Sequence, residues 1–164
     1  MKRTDIKQIP NDGDHYCFAC SPKNSSGLRM EVFTDGTMVF SDVTVPNHLC
    51  GWGTLVHGGI ISTILDEVMG WGAIYLLKKV SITQSITVDF KKPIRVGTAL
   101  SAVACVKERT TENAAVMESF LYGPEEDLCA AGTGTFALAS GRIAKRMGIL
   151  DDNLLAAFKP LLEE

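Results

Sequence analysis

The longest apolar pattern in the chain runs from Gly58 to Lys78 and predicts one long helix. Its apolar side chains fall on almost every side of a 3.6-residue repeat, which is typical of a helix buried on nearly all sides. Asp66 and Glu67 interrupt the pattern near its middle. Successive residues point about 100° apart on a helix, so we expect only one of the two carboxylates to face the core. Burying a charged carboxylate in such a helix costs free energy unless the carboxylate is paired with another group or serves the protein's function.

The rest of the chain alternates apolar and polar residues with the period of two that half-buried strands show. The predicted strands cover residues 28–32, 38–45, 82–90, 98–107, 114–122 and 128–138. In residues 82–90 the period places Ile82, Ile86 and Val88 on one face and Thr83 on the other. A helix that is apolar all round needs a sheet that curls around it. We therefore expect an α+β fold, with an antiparallel six-stranded sheet wrapped around one long central helix.

Composition divides the chain into three parts. Residues 1–26 are polar and turn-rich, and they are predicted to form an N-terminal arm outside the core. Residues 27–140 form the main domain. Residues 141–164 form a C-terminal extension, whose short helix over residues 150–158 is expected to pack outside the sheet.

Charge and hydropathy exclude several function classes. A net charge of −3 over 164 residues provides no basic field that would draw the protein to nucleic acid. The first ten residues lack the apolar run of a signal peptide. The long helix could span a membrane by length, but its two central carboxylates and the strands that follow argue against it. We expect a cytoplasmic protein without a membrane contact.

The five cysteines are best interpreted as free thiols of a reducing compartment. Cys17 and Cys20 form a Cys-x-x-Cys motif, but a second pair at zinc-ribbon spacing is missing. Cys50 with His15 or His48 would be needed to complete a tetrahedral site. We therefore expect no metal.

The helix start and Asp66 carry the candidate chemistry. Gly58 and Gly59 leave the first turn bare, with N–H groups that can bind a ligand oxygen. Asp66 lies eight residues further on, or about 12 Å of helix rise, so one carbonyl cannot easily reach both groups. Two antiparallel copies would bring one chain's Gly58 near the other's Asp66. An alternative is that Asp66 is only a buried acid satisfied by the hydroxyls of Ser62 or Thr63.

Several motifs together resemble a known family. The run His57–Gly59 with Asp66 nine positions after the histidine resembles the hotdog-fold acyl-CoA thioesterases of the phenylacetate-pathway (PaaI-like) type. The opening of that family is similar to Cys17–Cys20 together with Gly27–Arg29. Its strand after the helix is similar to Ile86–Phe90. The resemblance implies the hotdog fold.

The resemblance also implies roles for individual residues. Asp66 matches the catalytic carboxylate, which acts as nucleophile or as general base on water. The Gly58 N–H matches the group that polarises the thioester carbonyl, and His57 holds that turn. Thr83 stands where some relatives place a serine that assists the attacking water, although an ordinary sheet threonine is the alternative. Glu67 has no certain family role and is more simply a polar-face or interface residue.

Further candidates concern substrate binding. Gly59 belongs to the same turn, and Trp52 is either a lid over the pocket or a plug on the core. A basic cluster could hold the phosphates of coenzyme A, although such clusters are usually solvated surface. It consists of Lys91, Lys92 and Arg95. The chain departs from several relatives at Gly51, where they carry an asparagine or glutamine six residues before the histidine. Asn47 is four residues further upstream.

The prediction is a thioesterase that hydrolyses an acyl-CoA, or less simply an acyl-carrier-protein thioester. It requires no cofactor besides the CoA of the substrate. Because the sheet has open edges, we expect a homodimer or a dimer of dimers. Two rivals remain: a hotdog hydratase or dehydratase with a histidine base, and a non-catalytic acyl-thioester binding module.

Overall fold

The computed structural model describes residues 5–11 and 14–162, and the remaining parts of the predicted arm and extension lie outside them. The strands are β1 (Lys7–Gln8), β2 (Phe33–Thr34), β3 (Val39–Thr44), β4 (Val80–Phe90), β5 (Ala99–Thr111), β6 (Ala114–Tyr122) and β7 (Leu128–Ala139). The helices are α1 (Gly58–Leu77), α2 (Gly141–Arg146) and α3 (Asp152–Phe158), with single 3₁₀ turns at Asn47–Leu49 and Lys159–Leu161.

All strands belong to one antiparallel sheet in the order β1-β2-β3-β5-β6-β7-β4. The α+β prediction of a sheet around one central helix is confirmed, with seven strands instead of six. The pattern predicts neither β1 nor β2, two short strands that pair with each other, and the predicted strand over residues 28–32 does not form. Residues 28–32 have the expected burial alternation, but their backbone bonds the N-terminal segment instead of a sheet strand. Leu28 N donates to Phe18 O at 3.0 Å and Met30 N to Ala19 O at 2.9 Å.

The N-terminal segment contributes to the core, so the prediction of an arm outside it is wrong for the part that the structure describes. Ile9 is 1% exposed, and Ala19, Cys20 and Ser21 are buried. Residues 17–21 form a turn in which Ser21 N donates to Cys17 O at 3.1 Å. The turn lies against α1. The turn contributes to the core with only a few apolar side chains, because they cover a face of α1 that the sheet leaves open.

One face of α1 packs against the concave side of the sheet. Its fully buried side chains include Ile64, Leu65, Val68 and Met69. The expectation of burial on nearly all sides is therefore wrong, because the opposite face is only half-buried. Small residues on β7 let the helix approach: a side chain at Gly134 would lie 3.2 Å from the Met69 methyl group.

A β-bulge at Gln84 changes which residues of β4 face the helix. Thr83 pairs with Phe136 and Ser85 with Thr135, so the register shifts between them. Ser81 and Thr83 before the bulge bond groups on α1, while Ile86 after it packs on the core. The period-two prediction that put Thr83 opposite Ile86 is therefore wrong. Bulges are common next to active sites, where they re-aim a side chain.

The C-terminal extension also packs on the helix. It forms two short helices instead of one, and α3 begins at Asp152, whose preceding residue Asp151 caps it. Phe158 stacks on Trp71 of α1 with ring centroids 5.6 Å apart. The sequence predicts that this extension packs outside the sheet. In the structure it instead covers the face of α1 that the sheet leaves open.

Candidate active site

The first turn of α1 is built around His57, the N-cap residue. Its Nδ1 accepts a hydrogen bond from Gly59 N at 2.9 Å. A side chain at Gly59 would lie 3.0 Å from that nitrogen, so glycine is needed for the cap. Within residues 5–11 and 14–162, no acceptor bonds the Gly58 N–H. The turn therefore presents one free N–H donor, beside the ring of Phe90.

Asp66 is half-buried on the same helix and bonds Thr83. Thr83 Oγ1 donates to Asp66 Oδ1 at 2.9 Å, which the bulge in β4 makes possible. Burial raises the pKa of Asp66 above its ordinary value, and the Thr83 hydrogen bond opposes part of that rise. Ser62 and Thr63 donate instead to the carbonyls of Gly58 and Gly59. Ser62 and Thr63 therefore do not bond Asp66, and the hydroxyl that does is that of Thr83.

Glu67 points to the N-terminal segment, although it follows Asp66 directly. Its Oε1 accepts from Trp71 Nε1 at 2.9 Å, and both its oxygens lie 3.9 Å from Cys17 Sγ. Burial, with the charge of Cys17, raises the pKa of Glu67 to about 7. The N-terminal segment therefore covers Glu67. The prediction that Glu67 lies on a polar face of the helix is corrected.

Asp66 and Glu67 line one cavity of about 270 Å³. Thr83 and Ser81 form part of its wall, and an apolar part comes from α1 and the C-terminal extension. That apolar part consists of Trp71, Ile74, Leu154 and Phe158. Larger cavities of about 650 and 720 Å³ contain none of the predicted site residues. Of these three cavities in the described part of the chain, the smallest one alone brings carboxylates of raised pKa to an apolar wall, so we take it as the site.

The predicted phosphate contacts lie on the surface beside the helix start. Lys91 pairs with Asp89 at 3.4 Å and Lys92 with Asp127 at 3.1 Å. Arg95 differs, because its Nη1 donates to the hydroxyl of Thr54 at 2.6 Å in the loop that leads to His57.

The loop before the helix corrects one expectation. Trp52 is 90% exposed, so it does not plug the core. Gly51 lies directly behind His57, and a side chain there would come within 3.2 Å of its Cα. Asn47 is exposed in the 3₁₀ turn. A polar residue at position 51 would therefore require His57 to move.

The sequence does not reveal that Cys17 and Cys20 meet Glu67. All three offer ligand atoms within 4.8 Å of one another. The pKa of Cys17 is lowered to about 5, chiefly by a hydrogen bond from Cys20 and further by backbone N–H groups of Cys20 and Ala19. The only local signal is the Cys-x-x-Cys spacing, because Glu67 is distant in sequence.

Part of the chain is similar in sequence to known proteins. Residues 53–118 match the sequence model of the thioesterase superfamily. A segment of 41 residues is 49% identical to acyl-coenzyme A thioesterase THEM4 of Xenopus laevis, and it spans 25% of this chain and 18% of that protein.

Solved structures agree on the fold. The E. coli PaaI protein from the phenylacetic acid degradation operon is 18% identical, with a TM-score of 0.62, covering 69% of this chain and 81% of that one. Thioesterase HI1161 of Haemophilus influenzae is 19% identical, with a TM-score of 0.64, covering 81% and 88%. A hypothetical thioesterase of Streptococcus pneumoniae, solved with coenzyme A, is 18% identical, with a TM-score of 0.58, covering 62% and 81%. The resemblance seen in the sequence is confirmed as a similarity: residues 53–118 match the thioesterase superfamily, and the chain has the hotdog fold of these solved structures.

Proposed function

We propose that the protein hydrolyses an acyl-CoA thioester to the free acid and CoA. The observation that carries the proposal is the pair Asp66 and Thr83 in a partly apolar cavity, on the same helix as the unpaired Gly58 N–H. A raised pKa gives a carboxylate more basicity toward water. A free N–H at a helix start suits the oxygen of a polarised carbonyl.

The proposed reaction uses these groups in sequence. Thr83 holds Oδ1 of Asp66, and the carboxylate takes a proton from water as that water attacks the thioester carbon. Gly58 N–H stabilises the negative charge that forms on the carbonyl oxygen. The carbon–sulfur bond then breaks and CoA leaves as the thiolate. Direct attack by Asp66 is the alternative, and it would give an anhydride intermediate that water opens.

The arrangement of α1 and β4 supports the proposal of a site shared between the protomers of a homodimer. Thr83 lies against Asp66, and Phe90, at the other end of β4, lies against Gly58. β4 pairs with β7 on one side only among the described residues, and it carries Thr83, Gln84, Ser85 and Thr87 exposed. If β4 pairs antiparallel with its copy, the partner's Phe90 end comes beside this chain's Thr83 end. Gly58 of one protomer and Asp66 of the other would then meet around one carbonyl.

The proposed substrate is a CoA thioester with an aryl or medium-length acyl group. Trp71, Ile74 and Phe158 provide an apolar wall in the cavity of about 270 Å³. Two related streptococcal proteins were solved with acetyl CoA or coenzyme A. Structures of the pneumococcal protein also exist with an aspartate or a threonine replaced by alanine, the same residue types as Asp66 and Thr83. The five thiols are free, as a cytoplasmic location would allow.

Thiol release from a panel of acyl-CoAs tests the proposal. The panel should run from acetyl through phenylacetyl and medium-chain to long-chain thioesters, with the matching carrier-protein thioesters beside it. We expect turnover that is fastest for aryl or medium-chain groups. No turnover across the panel would reject the acyl-CoA reaction, and tight binding without turnover would favour the binding module. A histidine-base dehydratase is disfavoured because His57 Nδ1 is occupied in capping α1.

Arg95→Gln is expected to raise KM for acyl-CoA several-fold with little change in kcat. Arg95 is the member of the basic cluster that bonds a hydroxyl and not a carboxylate, so its charge remains available for a phosphate. Steady-state kinetics should compare the acyl-CoA with the same acyl group on N-acetylcysteamine, which lacks phosphates. Arg109→Gln at the β5–β6 turn is the control. An equal loss on both substrates would exclude a phosphate contact.

Thr83→Val is expected to lower kcat by about tenfold to a hundredfold, because the carboxylate of Asp66 loses the group that orients it. Thr83→Ser keeps the hydroxyl and should retain most of the rate. The measurement is kcat for the best substrate in both variants, with thermal melts to exclude misfolding. Equal rates in the valine and serine variants would show that Thr83 is an ordinary sheet residue.

A further inference from the structure

The turn formed by residues 17–20 brings two thiols close to the half-buried carboxylate of Glu67. The two Sγ atoms and a carboxylate oxygen lie within 4.8 Å of one another. Cys17 Sγ is 3.9 Å from each oxygen of Glu67. In a tetrahedral zinc site, with Zn–S near 2.3 Å and Zn–O near 2.1 Å, sulfur and oxygen ligands lie about 3.6 Å apart and two sulfurs about 3.8 Å apart. The cluster needs only a small contraction to reach that geometry.

Hydrogen bonds within the N-terminal segment hold the turn in place. Side chains hold the turn from both sides. Ser21 Oγ donates to His15 O at 2.6 Å, and Asn11 Nδ2 donates to Cys20 O at 2.9 Å. The ligand atoms are therefore positioned by bonds that would remain when a metal binds.

Charge favours a cation at this place. In the part of the chain that the structure describes, no lysine or arginine lies in ion-pair range of Glu67. Its one short hydrogen bond comes from Trp71 Nε1 at 2.9 Å. A half-buried carboxylate next to two thiols, with no cation near it among the described residues, is a place where a bound cation would offset the charge. His15 does not provide a fourth ligand, because its Nδ1 accepts from Cys17 N and its Nε2 bonds Asn11.

We propose that Cys17, Cys20 and Glu67 bind one zinc ion, with the fourth position open to solvent. Two thiolates and a carboxylate suit a borderline-soft divalent cation. The ion joins the N-terminal turn to α1, one residue from Asp66, and so fixes the wall of the cavity. The sequence alone predicts no metal because it shows only one cysteine pair, and the third ligand comes from a helix 47 residues after Cys20. This inference does not depend on the proposed hydrolysis.

Metal binding to the full chain tests the proposal independently of activity. Protein prepared under reducing conditions is analysed for zinc by mass spectrometry, stripped with a chelator, and titrated with Co²⁺. We expect one Co²⁺ per chain with a sulfur-to-cobalt charge-transfer band that Zn²⁺ abolishes. Cys17→Ser and Cys20→Ser should lose the band, and Glu67→Gln should weaken binding at least tenfold. Cys105→Ser, a half-buried thiol on β5, is the matched control and should bind as the wild type does.

If the cysteine variants fail to fold, a second measurement on the wild type still tests the proposal. In the wild type, zinc should slow alkylation of Cys17 and Cys20 and leave the exposed Cys50 unchanged, as read by peptide mass spectrometry. The proposal is overturned if the reduced protein binds no zinc, if Cys17→Ser and Cys20→Ser bind it as tightly as the wild type, or if the protein from cells contains a Cys17–Cys20 disulfide.

Discussion

Asp66→Asn is expected to lower kcat for the best acyl-CoA at least a hundredfold. The amide has the shape of the carboxylate and can still accept from Thr83 Oγ1, but it cannot take a proton from water or attack a carbonyl. General-base catalysis typically contributes about 10²–10⁴-fold, so the expected loss lies in that range. The measurement is thiol release under saturating substrate, with the KM determined separately.

Two features separate this loss from damage to the fold. Burial disfavours the charged form of Asp66, so the asparagine variant should melt no lower than the wild type. Asp89→Asn, an exposed carboxylate on the same strand that Thr83 occupies, should keep its rate. If Asp66→Asn retained a tenth or more of the wild-type kcat, Asp66 would be a structural acid and the proposed chemistry would lose its base.

The sequence predicts the fold well because its strongest patterns are local. The apolar run from Gly58 and the alternation in β5, β6 and β7 depend on contacts within one helix or one sheet, and the structure contains each of them. The short β1 carries no pattern of its own. Two residues, Lys7 and Gln8, form it only because β2 offers an edge.

The errors concern elements that cover the open face of α1. The alternation of apolar and polar residues does not show where a strand contains an extra residue. The bulge at Gln84 therefore cannot be predicted until the pairing of β4 with β7 is known. The bulge decides that Thr83 reaches Asp66. Likewise, the polar segment before Gly27 looks like an arm because it buries few residues, yet those few include Cys20 against α1. The sequence leaves Trp52 open between a lid over the pocket and a plug on the core, and its exposed side chain excludes the plug.

These errors have one physical origin. The sheet buries only one side of α1, and the other side is covered by segments far away in sequence, among them Cys17 near Glu67 and Phe158 on Trp71. Contacts of that kind do not impose a period on either partner. A local motif carries the candidate residues Asp66, Gly58 and His57, so the sequence can propose them, and their roles stay a prediction.

Gly58→Pro is expected to lower kcat by about a hundredfold to a thousandfold, while Gly58→Ala keeps most of the rate. Proline removes the N–H that is proposed to bind the oxyanion, a donor worth roughly 3 kcal/mol in such sites. The first helical position tolerates proline, and His57 before it already has the extended backbone that proline requires, at φ −63° and ψ 135°. Alanine retains the N–H, and its Cβ would meet the Phe90 ring at an ordinary 3.5 Å.

The same variant can test whether the site is shared between protomers. A heterodimer of Gly58→Pro and Asp66→Asn chains, isolated with two affinity tags, has one intact site and one doubly altered site if Gly58 and Asp66 act across the interface. It should recover roughly half of the wild-type kcat, although each homodimer is impaired. If both groups act within one chain, each site carries one lesion and no activity returns. Recovery would therefore establish that one protomer supplies the oxyanion donor and its partner the carboxylate, whereas a heterodimer as slow as its parents would exclude the shared site.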